Sequence, residues 1–443
     1  MRKAIASSVN WDDVAAEAVQ LLQRYIPIDT VNPPGNEERA ADFLAELLAA
    51  DGIESRKLIS APGRANLVAD LGPAGGEKPL ILLNHTDVVP AEAEQWSIDP
   101  FAGEVKDGYV WGRGALDMKG MGVLELMTLL TLKRQGVKLR RPVRFLAVAD
   151  EEAGSDYGVE WLDREHPEVL DGAFVINEGG YGAESYLGSE RPLFGVSMAE
   201  KSPLWLTLRA IGKPGHGSAP HDDNVLDRMV RAMHRVQSWQ RPFLMTPPVA
   251  EALQAAYAEG YLDADPADAP PEEIAERYRS LRTLLSNTIS ATGLQTGVKH
   301  NVIPATASAT LDCRLVPGYE AERFISELRE VIDDQRVEIE IVFASESPAS
   351  TPDTELHAAI KEVCNEVMPD AAVLPRVTAG FTDSRAFRRH GVPAYGFVPM
   401  LLGPEEQGGM HGNNERISLA NLRRGVEVMY RVVERVCAAE GVS

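Results

Sequence analysis

Apolar residues recur at helical spacing through the first fifty positions of the chain, in two blocks, VAAEAVQLLQRYI and ERAADFLAELLAADG. The spacing predicts two amphipathic helices. DTVNPPGN between them reads as a loop by its Pro and Gly content, and Gly52 as the stop of the second helix. The pattern then shortens. RANLVADLG predicts a strand, PLILLNH a buried one, and VRFLAVA (143–149), AFVI (173–176) and, far along the chain, AYGFV three more. Between PLILLNH and VRFLAVA a Gly-punctuated loop, GRGALDMKG, opens into a helix that begins at Asp117 and runs through VLELMTLLTLKRQG. Its Met and Leu residues at 121–132 read as core. Lys133 and Arg134 fall in the last turn before Gly136, where the helix dipole favours cations. Strands alternating with helices predict an α/β fold, with a mixed, mostly parallel sheet covered by helices on both faces.

After about Ser197 the texture changes. LWLTLRAIG predicts a strand, KPGHGSAPHDD a loop and VLDRMVRAMHRVQ a helix; NTISATGLQTG and TASATLDCRLV predict two strands, AERFISELREVID a helix and VEIEIVFA a last strand. This β-α-β-β-α-β order predicts a ferredoxin-like α+β sandwich. An acidic, Pro-rich stretch at about 240–285 is expected to hold irregular structure and short helices. The chain therefore divides into a catalytic domain at 1–198, an inserted domain at 199–348, and a return to the first domain at 349–443 through TELHAAIKEVCNEVM and NLRRGVEVMYRVVERVCAA. A length of 443 residues is ample for two cores.

Composition narrows the class. An apolar content of 44% and a charged content of 25% are ordinary for a globular chain. The net charge of −22, from 66 acidic and 44 basic residues, argues against nucleic acid, which needs a basic face. A small substrate bearing a carboxylate stays open if a few Arg gather locally. Cys313, Cys364 and Cys437 are widely spaced with no C-x-x-C, as expected of reduced thiols and not of a disulfide frame or a zinc–thiolate site. No run approaches a membrane span, and MRKAIASSVNWDD lacks an apolar leader, so the expected location is cytoplasmic with no membrane partner.

The chemistry-bearing residues collect where the strands end, which is where open α/β sheets build their sites. His85 and Asp87 follow PLILL; Asp150, Glu151 and Glu152 follow VRFLAVA; Asn177 and Glu178 follow AFVI; His411 sits in GGMHGNN after AYGFV; and Asp117 enters from the helix start. Carboxylates gathered at the inner ends of apolar strands repel one another and are costly to desolvate, so a cation is expected among them. Two imidazoles, three or more carboxylates and no thiolate suit Zn²⁺, Mn²⁺ or Co²⁺. Taken singly, each residue has an ordinary reading: His85 a partly buried histidine, Asp117 a helix N-cap, Glu151 and Glu152 a solvated loop. His166, His234, His357 and His390 keep that reading. GRGALD lacks the third Gly of a dinucleotide fingerprint, and GHGSAP is not a G-x-S-x-G elbow.

The set NHTDVVP, GRGALDMKG, DEEAGS, NEGG, GKPGHGSAP, KHNVIPATASATLDCRL and GMHGNNE, in order over nearly the whole chain, resembles the di-zinc aminoacylase/carboxypeptidase family. That family takes in acetylornithine deacetylase, succinyl-diaminopimelate desuccinylase, aminoacylase, and the glutamate- and vacuolar-type carboxypeptidases. The resemblance implies two Zn²⁺ per chain, with Co²⁺ or Mn²⁺ as substitutes. Asp117 would bridge them, His85 and Glu178 would complete one set of ligands, and Glu152 and His411 the other. It further implies that Asp87 holds the His85 imidazole from behind, and that Glu151 is the general base, moving a proton from a water shared by the two ions to the leaving amine. In the inserted domain, His216 would cross from the partner subunit's lid to stabilise the oxyanion, which implies a homodimer. Asn301, Arg314 and Arg385 match positions that contact a substrate carboxylate, a task suited to the planar fork of Arg. Gly380 would let backbone approach the ligand.

The implied function is a metal-dependent hydrolase that cleaves an amide or peptide bond next to a free carboxylate, in an N-acyl amino acid or a short peptide. A narrow biosynthetic deacetylase or desuccinylase is an alternative. A non-catalytic metal- or ligand-binding relative is a further one, against which the completeness of the donor set speaks. The 240–285 insertion departs from the shorter deacylases and resembles the vacuolar-carboxypeptidase and N-acyl amino acid hydrolase branch, as does NEGG.

Overall fold

The computed structural model describes residues 9–297 and 299–439; the leader-free reading of the first eight positions lies outside the described residues. The chain separates into two compact units, one of Met1–Met198, Ser350–Arg376 and Thr382–Ser443, the other of Ala199–Ala349 with Val377–Phe381.

The first unit is built on an eight-stranded sheet. Its order is Ser55–Ala61, Arg64–Leu71, Val143–Val148, Leu80–His85, Phe174–Ala183, Ala394–Leu402, Leu193–Glu200 and Ala372–Thr378. The four strands from Val143–Val148 to Ala394–Leu402 are mutually parallel, so their carboxyl ends share one rim. Antiparallel strands flank this core on both sides. The helix Lys119–Arg134 is buried from Lys119 to Leu132. It packs against Leu80–His85 and against the helices Trp11–Tyr25 and Leu419–Cys437, which is why its sequence is apolar on all sides. Lys119 closes the end of Trp11–Tyr25, where carbonyls lack helical partners: its Nζ donates to the carbonyls of Tyr25 (3.3 Å) and Ile28 (2.7 Å).

Two boundaries differ from the sequence pattern, and both bear on the site. The helix starts at Lys119, with Met118 at the N-cap and no capping side chain. Asp117 therefore stands ahead of the helix and is not its cap. The strand expected to stop at 176 continues through NEGGYG to Ala183, because it stays paired with Ala394–Leu402 across two irregularities. Glu178 thus projects from within a strand. Ser55–Ala61, Leu193–Glu200 and Ala372–Thr378 were not evident in the pattern. The last is an edge strand, where Pro375 is tolerated because its missing N–H has no ladder to serve.

In the second unit, Thr288–Thr296, Thr306–Leu315, Ser202–Ile211 and Val337–Ala344 form an antiparallel sheet in that order. The helices Val225–Ser238 and Ala321–Ile332 join it through a core that includes Leu204, Leu206, Leu208, Met229, Phe324 and Leu328. The acidic stretch holds two short helices, Pro247–Ala258 and Pro271–Arg277, each opened by the prolines that favour a first helical turn. All three cysteines are free and buried. Among the described residues, no helix is long and apolar enough to cross a membrane.

Phe174–Ala183 and Ala394–Leu402 leave no room for a side chain at Gly180, where a Cβ would lie 1.8 Å from the Gly396 carbonyl oxygen. Gly180→Ala should destabilise the protein by about 1–3 kcal/mol in denaturant unfolding, as overpacking does; an unchanged midpoint would contradict this packing.

Candidate metal centre

Each donor reaches the rim by its own route. His85 is the last residue of Leu80–His85. Glu151 and Glu152 open a single 3₁₀ turn after Val143–Val148, set at its angle by Asp150 at φ 69°, a left-handed conformation that Asp adopts more readily than most residues. Asp117 lies at the end of the Gly-rich loop, and His411, also with positive φ, at the turn after Ala394–Leu402 and its following helix.

Asp117 is the centre of the arrangement. Its Oδ1 lies 3.1 Å from Nε2 of His85, and its Oδ2 lies 3.1 Å from Nε2 of His411. The His85 Nε2 is also 3.7 Å from Glu178 Oε1, and the His411 Nε2 is 3.1 Å from Glu152 Oε1. One carboxylate therefore faces two imidazoles, with a different oxygen toward each, and each imidazole meets one further carboxylate. Ligand atoms of His85, Asp117 and Glu152 lie within 4.8 Å of one another, and so do those of His85, Glu151 and Glu178. The five expected ligands and Glu151 are all brought together.

The electrostatics follow from this crowding. Burial pushes the Glu151 carboxyl well above the usual range, and the neighbouring Glu178 adds to the rise. Glu178 is raised in the same way by burial and by Asp117. Burial also raises Glu152, against the hydrogen bond it accepts from His411. At Asp117 the burial effect is outweighed by hydrogen bonds from His411 and His85, which hold it well below the usual range. His411 is pushed up to about 10 by its hydrogen bonds to Asp117 and Glu152. Four carboxylates share two imidazoles in one largely buried cluster, and the repulsion that raises Glu151 and Glu178 is one a divalent cation would relieve. The donors are nitrogen and oxygen only, and Asp117 offers one oxygen to each side, so the set fits such ions.

Asp87 stands behind the His85 imidazole, as expected, and has a second task besides. His85 Nδ1 donates to the main-chain carbonyl of Asp87 at 3.0 Å and is 3.4 Å from its carboxylate, which directs Nε2 toward Asp117. The Asp87 carboxylate itself accepts from Asn32 Nδ2 (2.8 Å) and from the amides of Glu151 and Glu152 (3.2 Å each). It holds the turn that carries both glutamates. Asn32 also donates to Asp150 (3.0 Å), and Asp150 and Glu37 are both paired with the buried Arg64. Asn32, Glu37 and Arg64 were not among the candidates, since Asn32 lies in the loop DTVNPPGN, Glu37 directly after it and Arg64 at the start of a strand, with no local signal of a role. Glu415, the closing residue of GMHGNNE, was also passed over as a residue in its own right.

The remaining candidates fall in several places. In the second unit, Gly215–His216 pairs with Val302–Ile303, and the Gly217 amide donates to the Asn301 carbonyl at 2.8 Å, so His216 and Asn301 are neighbours. The exposed His216 accepts from the Ser218 amide at Nδ1 (3.2 Å), which places its proton on Nε2 as a donor. Arg314 forks onto Asp312 (2.7 and 2.9 Å) and lies over the Phe381 ring at 4.7 Å. Arg385, in the first unit, is fully buried and donates to Thr382 O (2.9 Å), Gly154 O (3.1 Å) and Ser155 Oγ (3.0 Å). It braces the turn that follows Glu152. Gly380 is exposed, and a Cβ there would meet only Thr378 Cγ2 at 4.0 Å, so its protein surroundings do not require glycine.

The family model described as Peptidase family M20/M25/M40 matches residues 81–435. The chain is 30% identical over 427 residues to Aminoacylase-1A of Rattus norvegicus, covering 94% of each chain. It is 27% identical over 374 residues to the N-fatty-acyl-amino acid synthase/hydrolase PM20D1 of Mus musculus, covering 81% of this chain and 74% of that one. Among solved structures, the M20 family metallo-carboxypeptidase Sso-CP2 from Sulfolobus solfataricus is similar in fold, with a TM-score of 0.75 at 19% identity, over 94% of this chain and 98% of that chain.

A ligating imidazole must be neutral, whereas His411 keeps its proton in the metal-free chain up to about pH 10. Zinc titrated calorimetrically in buffers of different ionisation enthalpy should therefore release about one proton or more per chain near neutral pH, and apparent affinity should rise toward pH 10. Affinity flat across that window would contradict displacement of the His411 proton. For the metal-free fold the sign is opposite: an imidazole raised from 6.5 to about 10 contributes stability that is fully present below pH 6.5 and fades as pH rises through about 10.

Proposed function

The chain belongs to Peptidase family M20/M25/M40 and is a metal-dependent hydrolase of amide or peptide bonds, and from that premise we propose that it deacylates N-acyl amino acids, cleaving the amide next to a free carboxylate. The likeness to an aminoacylase over nearly the full length of both chains favours an acyl substrate over a peptide.

The observation that carries the reading is the position of Asp117, with one oxygen toward His85 and the other toward His411. We assign His85, Asp117 and Glu178 to one Zn²⁺, and Asp117, Glu152 and His411 to a second, with Co²⁺ or Mn²⁺ as substitutes. Bound there, such ions supply Lewis acidity toward the scissile carbonyl and lower the pKa of water. Glu151 takes the proton of the attacking water on a carboxylate oxygen and passes it to the leaving nitrogen. Its buried surroundings raise its proton affinity, which suits a group that must hold a proton between the two transfers. His216, with its proton on Nε2, serves as the donor to the oxyanion in the site of the partner subunit. Asn301 and Arg314 receive the substrate carboxylate. Arg385 and Asp87 act as positioning residues for the turn that bears Glu151 and Glu152. A homodimer formed through the second unit and a reducing, cytoplasmic setting for the three buried thiols complete the proposal.

Glu151→Gln should keep its metal content and melting temperature while kcat falls by about 10²–10⁴-fold; near-wild-type turnover would sink the assigned base. Asp117→Asn should lose both metal equivalents on elemental analysis, and two equivalents retained per chain would rule out the bridge. Assayed on N-acetyl, N-succinyl and long-chain N-acyl amino acids alongside dipeptides, the enzyme should turn over the acyl series, and hydrolysis confined to dipeptides would overturn the substrate class.

A further inference from the structure

The motif that carries His411 ends in a carboxylate with no part in the chemistry described so far. Glu415 is fully buried. Its Oε1 accepts from the amides of Leu116 (2.7 Å) and Asp117 (3.0 Å), and its Oε2 accepts from the Gly114 amide (3.1 Å) and from Nη1 of Arg113 (2.7 Å). Nη2 of Arg113 turns to the carbonyl of Gly412 (2.8 Å), the residue after His411. The Glu415 carbonyl accepts from the Gly112 amide (3.0 Å), and Arg416–Ser418 continues as an antiparallel strand against Tyr109–Trp111. The Arg113 guanidinium also lies over the Trp96 ring, 5.2 Å from its centroid, so it is held from a third side.

We propose that Glu415 and Arg113 are a positioning pair that fixes the Asp117 loop against the His411 loop and so sets the separation of those two ligands. The proposal rests on the ligand assignment given under the proposed function. Its physical basis is the supply of donors. Three amides of the 112–118 loop point inward, and buried amides need acceptors. A carboxylate has two acceptor oxygens and no donor, so it can take these three amides and the guanidinium together. A Gln side chain of nearly the same shape has one acceptor and would present an NH₂ to the remaining donors. The Asp117 amide is among those held. Any shift there moves a carboxylate whose two oxygens must meet two imidazoles at once, and such constellations tolerate only about 0.5 Å.

The test compares Glu415→Gln and Arg113→Lys with wild type and with Arg228→Gln. The last breaks the ion pairs that the buried Arg228 of the second unit makes with the partly exposed Asp223 and Asp334, and controls for lost stability alone. The readouts are Zn²⁺ affinity by calorimetry and the visible absorption of the Co²⁺-loaded protein. The two brace variants should lose roughly 10–100-fold in Zn²⁺ affinity, the range seen when partners behind metal ligands are removed, and should change the Co²⁺ spectrum. Arg228→Gln should lower the melting temperature and leave both readouts unchanged. Wild-type affinity and spectrum in the brace variants, with metal lost from Asp117→Asn, would overturn the positioning pair alone. Wild-type affinity in Asp117→Asn would overturn the ligand assignment and the pair with it. An equal loss of affinity in Arg228→Gln would reduce the effect to stability and also overturn the pair. If Glu415→Gln does not fold, Arg113→Lys decides, since it keeps the charge but cannot reach Glu415 and Gly412 together.

Discussion

The two oxygens of the Asp117 carboxylate are aimed apart, one at each of two imidazoles, and the arrangement of the candidate centre depends on their being held there. The oxygens face His85 and His411, which arrive from positions more than 300 residues apart in the chain. The parallel strand core brings the two loops to one rim. The buried helix Lys119–Arg134 anchors one side of Asp117 through its packing, and the amide contacts to Glu415 anchor the other. Neither anchor touches the carboxylate. Both act on the backbone that carries it, which leaves the side-chain oxygens for their imidazoles.

The negative charge of the centre is handled in layers. Closest in are the two imidazoles. Behind the Glu151–Glu152 turn, Asp87, Asn32 and Asp150 are linked by hydrogen bonds and closed by Arg64, which also pairs with Glu37. On the far side of Asp117, Arg113 meets Glu415. Each buried acid in these outer layers has a cation or amide donors of its own. Within the cluster, Asp117 and Glu152 lean on the imidazoles, whereas Glu151 and Glu178 are raised well above the usual range by burial and by neighbouring carboxylates.

Much of this was legible in the chain. Long periodic segments such as VLELMTLLTLKRQG announce their helix, and the alternation of strand and helix announces the sheet whose rim must hold the site. His85, Glu151, Glu152 and Glu178 could be singled out because each follows an apolar run, whereas the ligand roles, and those of Asp117 and His411 in particular, came from the family resemblance. Edge strands were harder: Ala372–Thr378 contains Pro375, which interrupts its pattern, and Ser55–Ala61 buries only Leu58. Supporting residues were hardest. Asn32, Arg64 and Glu415 owe their roles to partners 27 to 302 residues away, and nothing local distinguishes them from loop residues. Arg385 shows the converse. As a residue type it suits a substrate carboxylate, but the fold buries it among the carbonyls of Gly154 and Thr382, and burial decides what an arginine can reach.

The order of the ligands along the chain has a consequence for biogenesis. His85, Asp117, Glu152 and Glu178 are all synthesised before the second unit, whereas His411 and Glu415 follow it. At translation rates of about 5–20 residues per second, the growing first unit spends many seconds with four acidic or imidazole donors already made and neither Ala394–Leu402 nor the His411 loop available to complete the sheet. On the proposed ligand assignment, the donor set is complete only once the strand Ala394–Leu402 and the His411 loop have been made, and a product truncated within the second unit lacks His411.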